Sequence, residues 1–106
     1  MAHHPPANRC TCTDCSRNGG QRETVIGHLL SSSDSLPGCL SYIVAKDSAD
    51  ADVIWITEVW NDQASHDASL SLPAVQAAIA QARPLIADVE SSTVVEPVGG
   101  IGLPAR

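Results

Sequence analysis

Two eight-residue runs, Cys39–Lys46 (CLSYIVAK) and Val53–Trp60 (VIWITEVW), flank a polar stretch, Asp47–Asp52. The second run is rich in β-branched and aromatic side chains, which suit a pleated, half-buried surface. The connection has hairpin length, so the pair predicts two antiparallel strands. The second strand passes straight into a helix that Asn61 or Asp62 can cap and that reaches about Leu70.

Helical signals lie on both sides of this hairpin. Val25, Ile26, Leu29 and Leu30 recur at helical spacing before it, and the serine-rich run Ser31–Ser35 and the turn Leu36-Pro37-Gly38 end that helix. After the hairpin, Pro73 suits a first helical turn, and Val75, Ala78, Ile79, Ala82, Leu85 and Ile86 make an apolar stripe that Pro84 bends or ends. Val89–Val98 reads as a last strand, and Gly99, Gly100 and Gly102 lie in a tail. The order is helix, strand, strand, helix, strand. That is an α+β ferredoxin-like unit with its first strand atypical or missing.

That strand belongs in the first 20 residues, where His3, His4, Pro5, Pro6 and three cysteines show neither a period of 2 nor one of 3.6. Residues 1–18 are therefore expected to be irregular, residues 19–103 to form the domain, and residues 104–106 a tail. A chain of 106 residues makes one domain with a modest core. With no Phe, that core must be aliphatic. A net charge of −6 without any Lys/Arg run argues against nucleic-acid binding. No segment approaches the ~20 apolar residues of a membrane helix, and the start carries no apolar leader, so the cytoplasm is the expected compartment.

Four stretches carry a family resemblance: Gly20-Gln-Arg-Glu, Leu36-Pro-Gly-Cys-Leu-Ser-Tyr-Ile-Val, Ile54-Trp-Ile-Thr-Glu-Val-Trp60 and Pro73-Ala-Val-Gln-Ala-Ala-Ile. Over about Gln21–Leu103 the chain resembles the antibiotic biosynthesis monooxygenase family, specifically its small quinol-monooxygenase-like members. The resemblance implies a dimeric α+β barrel, formed by a homodimer, with a cavity between sheet and helices in each subunit. It implies oxidation of a quinol or polyphenol by O2 with no metal, flavin or haem cofactor. Two departures stand out. The hydrophobic strand that usually precedes the Gly-Gln-Arg turn is replaced by Arg9–Arg17. A histidine that many members carry where Ser69 falls, often with a second near Ala74, is found instead at His66.

Polar groups crowd the end of the second hairpin strand. Alternation puts Ile54, Ile56, Glu58 and Trp60 on one face and Val53, Trp55, Thr57 and Val59 on the other. In the functional reading Glu58 and Trp60 rim a pocket. In the plainer one Trp60 is a core plug and Glu58 pairs with Arg22 or Arg83. Trp55 is expected to anchor the subunit interface. Imidazoles titrate near neutral pH and can take a proton from a phenol, so His66 is the candidate base. The alternative is a half-exposed helix histidine bonded to Asp62, and His28 is expected at the surface. The candidate catalytic set is His66, Glu58 and Trp60, and the candidate substrate-binding set is Asn61, Ser69, Ile54, Ile56 and Tyr42. Capping also accounts for Asn61. Cys10, Cys12 and Cys15, with His3, His4 or Cys39, form a weaker zinc candidate. Otherwise Cys39 is a small hydrophobe. A non-enzymatic binding or stress-response dimer, and a haem-binding relative, are the other function classes.

Overall fold

The computed structural model describes residues 9–33 and 35–103. Four strands and three helices follow the order β1 (Cys10–Arg17), α1 (Arg22–Ser31), β2 (Cys39–Lys46), β3 (Val53–Trp60), α2 (Gln63–Ser69), α3 (Pro73–Ala82), a 3-10 turn (Arg83–Leu85) and β4 (Asp88–Val95). The sheet order is β2-β3-β1-β4, antiparallel throughout, as in a ferredoxin-like unit. Both hairpin strands fall on the expected residues. The last strand stops at Val95, three residues short of the expected Val98.

The cysteine-rich stretch overturns the expectation of an irregular start. Cys10–Arg17 is a central strand, paired along its whole length with β3 and bordered on its other side by β4. Thr and Cys supply its pattern. Cys10, Cys12, Asp14 and Ser16 face the helices, while Thr11, Thr13, Cys15 and Arg17 take the opposite face. Buried Cys behaves as a small hydrophobe and Thr is β-branched, so the segment is strand-compatible without a Val or Ile. The zinc set therefore does not converge, because Cys15 points away from Cys10 and Cys12. His3 and His4 lie outside the described residues. Among those described, no three His, Cys, Asp or Glu side chains gather around a metal-sized point. Cys39 is half-buried, and its Sγ donates to Ser41 O at 3.3 Å.

The helices cover one face of the sheet. Val25, Ile54 and Ala82 form the sealed centre, with Ile26, Leu29, Val44, Ile56, Leu85 and Ile86 packed on it. This aliphatic core matches a chain without Phe. The expected stripe on α3 holds, since Val75, Ala78 and Ala82 are buried. α3 ends at Ala82, and Pro84 sits in the following 3-10 turn. His28, expected at the surface, is partly buried.

The β2–β3 loop ties down the entry to α1. The Asp52 carboxylate accepts the backbone N–H groups of Asn18 (3.2 Å), Gly19 (3.0 Å) and Gly20 (2.6 Å). The buried Asn18 amide donates to Ser16 O and Asp52 O. Gly19 and Gly20 have φ of 56° and 81°, a left-handed turn that side chains with a Cβ resist. Asp47 accepts the Trp55 indole N–H at 2.8 Å and two backbone N–H groups, while Asp50 pairs with Arg17 at 2.9 Å.

These bonds hold all three carboxyls below their ordinary range. For Asp47 the Trp55 indole is the chief cause, and its pKa falls to about 2. The chief causes are the Asp52 backbone N–H for Asp50 and the Gly20 N–H for Asp52. A carboxyl whose folded pKa is lowered gives stability above the unfolded value of about 4, and that stability is lost as pH falls through the folded value. The melting temperature should therefore drop between about pH 4 and pH 2, and Asp47→Asn should flatten part of the drop. Scanning calorimetry at a series of pH values reads both, and a flat profile would refute the linkage.

Candidate active site

β3 delivers the polar groups and α2 closes over them. Ile56, Glu58 and Trp60 alternate onto the helix-facing side of β3, with Tyr42 from β2 and Asp14 from β1 beside them. They floor a cavity of about 240 Å³, walled by Leu29, Leu36, Leu70, Val75, Ala78 and Ile79, with His66 and Ser69 also in its lining. The lining is mostly apolar with a few convergent polar groups, as in small-molecule sites.

Glu58, Trp60 and His66 form one constellation. Trp60 is 1% exposed, and its indole N–H donates to Glu58 Oε1 at 3.1 Å. The His66 ring meets the indole edge-on, with centroids 5.6 Å apart and planes at 88°. Neither Arg22 nor Arg83 pairs with Glu58; Arg22 donates instead to Asp50 O. Burial pushes the Glu58 carboxyl above its ordinary range. The Trp60 bond opposes that rise, and the Asp14 charge adds to it. Burial, helped by the Glu58 charge, raises the Tyr42 phenol to about 12, so its hydroxyl stays a donor near neutral pH.

α2 begins where Asp62 accepts the Ser65 N–H at 2.7 Å, which settles the cap on Asp62. The His66 ring bonds Asp67 (Nδ1···Oδ1 3.1 Å), and its backbone N–H donates to Asp62 O at 3.4 Å. The Asp67 carboxyl lies below its ordinary range, held there by Gln63 first and His66 second. A proton on Nδ1 donated to Asp67 leaves Nε2 as the acceptor of the ring. The Ser69 hydroxyl donates to His66 O at 2.6 Å, which fixes its oxygen at the cavity wall.

Two expected substrate contacts fall elsewhere. Ile54 is sealed in the core between Val25 and Ala82, two residues too deep along the strand. Asn61 is exposed and outside the cavity lining, and its backbone N–H donates to Gly38 O at 2.8 Å. Sequence reasoning missed Asp14, because its strand was not recognised. The Thr/Cys alternation around it was the available signal. It also missed the aliphatic wall from α1 and α3, whose residues read only as core.

The antibiotic biosynthesis monooxygenase family model matches residues 19–81. The chain belongs to that family. Its fold is shared with a Chloroflexus aurantiacus J-10-fl crystal structure provisionally assigned to the same monooxygenases, which is 50% identical with a TM-score of 0.85 over 87% of this chain and 95% of the other. A provisional family member from Caulobacter crescentus CB15 has the same fold at 14% identity, with a TM-score of 0.79 over 89% and 93% of the two chains. SnoaB from Streptomyces nogalater, a cofactor-independent oxygenase, superposes with a TM-score of 0.73 at 15% identity over 90% and 98%. No curated protein sequence matches the chain. The antibiotic biosynthesis monooxygenase match begins at Gly19, just after β1, the strand whose composition departs most from the resemblance. No helix among the described residues is long and apolar enough to cross a membrane.

Proposed function

We propose that this chain is a cofactor-independent monooxygenase that oxidises a small aromatic, a quinol or polyphenol, with O2, working as a homodimer. The observation that carries the reading is one apolar cavity in which an indole wall, a half-buried carboxyl, a phenol and an imidazole converge. Family membership and the activity of SnoaB support it.

For a quinol the reaction balances as quinol plus O2 giving hydroxyquinone plus water. One oxygen atom enters the ring, the other leaves as water, and the substrate supplies all four electrons. His66 takes the phenolic proton on Nε2, with Asp67 holding the ring. The resulting anion reduces O2. The protein's part is to remove the proton, hold the ring against Trp60, and exclude water. Glu58 and Tyr42 offer hydrogen bonds to the substrate oxygens.

The pairing of two chains is supported by the uncovered side of the sheet. Ile43 is 57% exposed and Trp55 38%, and every residue of β4 is exposed, Val95 among them. Exposed apolar side chains such as these are candidates for an interaction surface, and a second copy would cover them, with Trp55 as anchor.

An oxygen electrode tests the chemistry on protein first shown by sedimentation to run at twice the chain mass. A quinol should draw down oxygen. His66→Ala should lower kcat/KM at least tenfold, since a positioned base contributes roughly 10²–10⁴. Unchanged rates would remove His66 as the base. A monomer in sedimentation would remove the pairing, and no uptake across a quinol panel would leave a binding module.

A further inference from the structure

Asp14 stands where two cavities meet. It shares the wall of the 240 Å³ site with Leu29 and Ile79, and the same three residues line a second, more open hollow of about 660 Å³ that runs toward Arg83 and Asp88. The site therefore continues along the sheet past Asp14. Asp14 lies opposite Ile56 on β3, so it is diagonal to Glu58, which lies opposite Cys12. Diagonal partners across an antiparallel pair stand about 7–8 Å apart, a spacing on the scale of one or two fused rings.

The two carboxyls are not equally provided for. Glu58 receives the Trp60 N–H. No hydrogen bond or ion pair reaches the Asp14 carboxyl among the described residues. Leu29, Ile56 and Ile79 line the cavity with it, as do Glu58 and Tyr42, which feel its charge. A carboxyl among such groups needs a donor, from water when the cavity is empty and from the ligand when it is filled. An ether oxygen there would set acceptor against acceptor, and an anion would add repulsion.

We infer that Asp14 selects the far end of the substrate, so that the cavity takes an aromatic with hydroxyl donors at both ends: one for the Glu58–His66 end and one for Asp14. This deepens the reading of the cavity as the substrate site and rests on it. Asp14 is a specificity residue and has no part in moving the reacting proton.

The test is calorimetric titration under argon, where no turnover occurs, so it stands or falls apart from the oxidation chemistry. Three probes share one ring system and one phenol: a naphthalenediol with hydroxyls at opposite ends, its monomethyl ether, and the naphthol bearing a carboxylate at the far end. Wild type should bind the diol roughly tenfold or more tighter than the ether, the scale of a hydrogen bond to a charged group, and the carboxylate more weakly still. Asp14→Asn should shrink both preferences, and Asp14→Leu should abolish or invert them. Circular dichroism checks that each variant is folded, and the near-isosteric Asp14→Asn serves if the leucine variant is not. Equal diol-to-ether ratios in wild type and Asp14→Asn would overturn the assignment even if quinols are oxidised. Intact preferences in a protein that never consumes oxygen would uphold Asp14 and reject only the oxygenase chemistry.

Discussion

Replacing Trp60 by alanine should cost about 3–5 kcal/mol of folding stability, the range for deleting a large aromatic from a packed site. The residue is 1% exposed and serves both packing and the site. Its ring closes the end of the sheet under α2, and its N–H is the donor to Glu58. In a domain of this size the loss corresponds to a fall in melting temperature on the order of 15 °C or more. Trp60→Phe separates the two roles. It keeps most of the packed volume but removes the donor, so it should cost only about 1 kcal/mol, the net worth of one hydrogen bond. Urea denaturation of the two variants reads the difference. A loss below about 1 kcal/mol for the alanine variant, well short of the aromatic range, would mean that the cavity end is not packed as described.

Gly38→Ala should be the other large effect, and it should act at a distance. Gly38 has φ of 81°, where an L-residue is strained. A Cβ there would stand 2.5 Å from Ser65 Oγ and 2.6 Å from Ser65 Cβ, on the first turn of α2. The turn before β2 therefore seats directly against the helix that carries His66, and the Asn61 N–H clamps the contact by donating to Gly38 O. Adding the methyl group must push α2 outward, with His66 moving off the Trp60 edge. Backbone strain and overpacking together predict a loss of about 2–5 kcal/mol. Ser65→Gly removes the opposing Cβ, leaving the nearest Ser65 atom, Cα, at 3.9 Å from the new group. In the Gly38→Ala background it should recover the packing part and leave the strain, a coupling that a double-mutant cycle measures. Additive losses would show that the two residues do not meet.

Legibility differed by element, for physical reasons. The hairpin was plain because β-branched and apolar residues alternate in it, and its limits match residue for residue. The α3 stripe was plain because its face is buried on one side only. β1 was not legible. Its inward positions are two cysteines, an aspartate and a serine, which no hydrophobic period detects, and it is held as a strand by neighbours on both sides. Close cysteine spacing offered a weaker zinc candidate, but strand alternation turns Cys15 away from Cys10 and Cys12. In the candidate site, Ile56, Glu58, Trp60, Tyr42, His66 and Ser69 were named from sequence and all line the cavity. Ile54 and Asn61 missed it by depth and by direction. Alternation assigns a face, but it does not say how far along the strand the helices seal it.

The chain by itself determined the helix and strand order from α1 to β4, the aliphatic core, and the face of β3 that carries Glu58 and Trp60. These follow from local periodicity and from capping, which act within a few residues. Tertiary structure alone decided that Asp14 shares a cavity with Glu58 and that a glycine before β2 sets the place of α2. Each of these joins segments distant in sequence through a sheet register or a packing distance, and no local pattern encodes either.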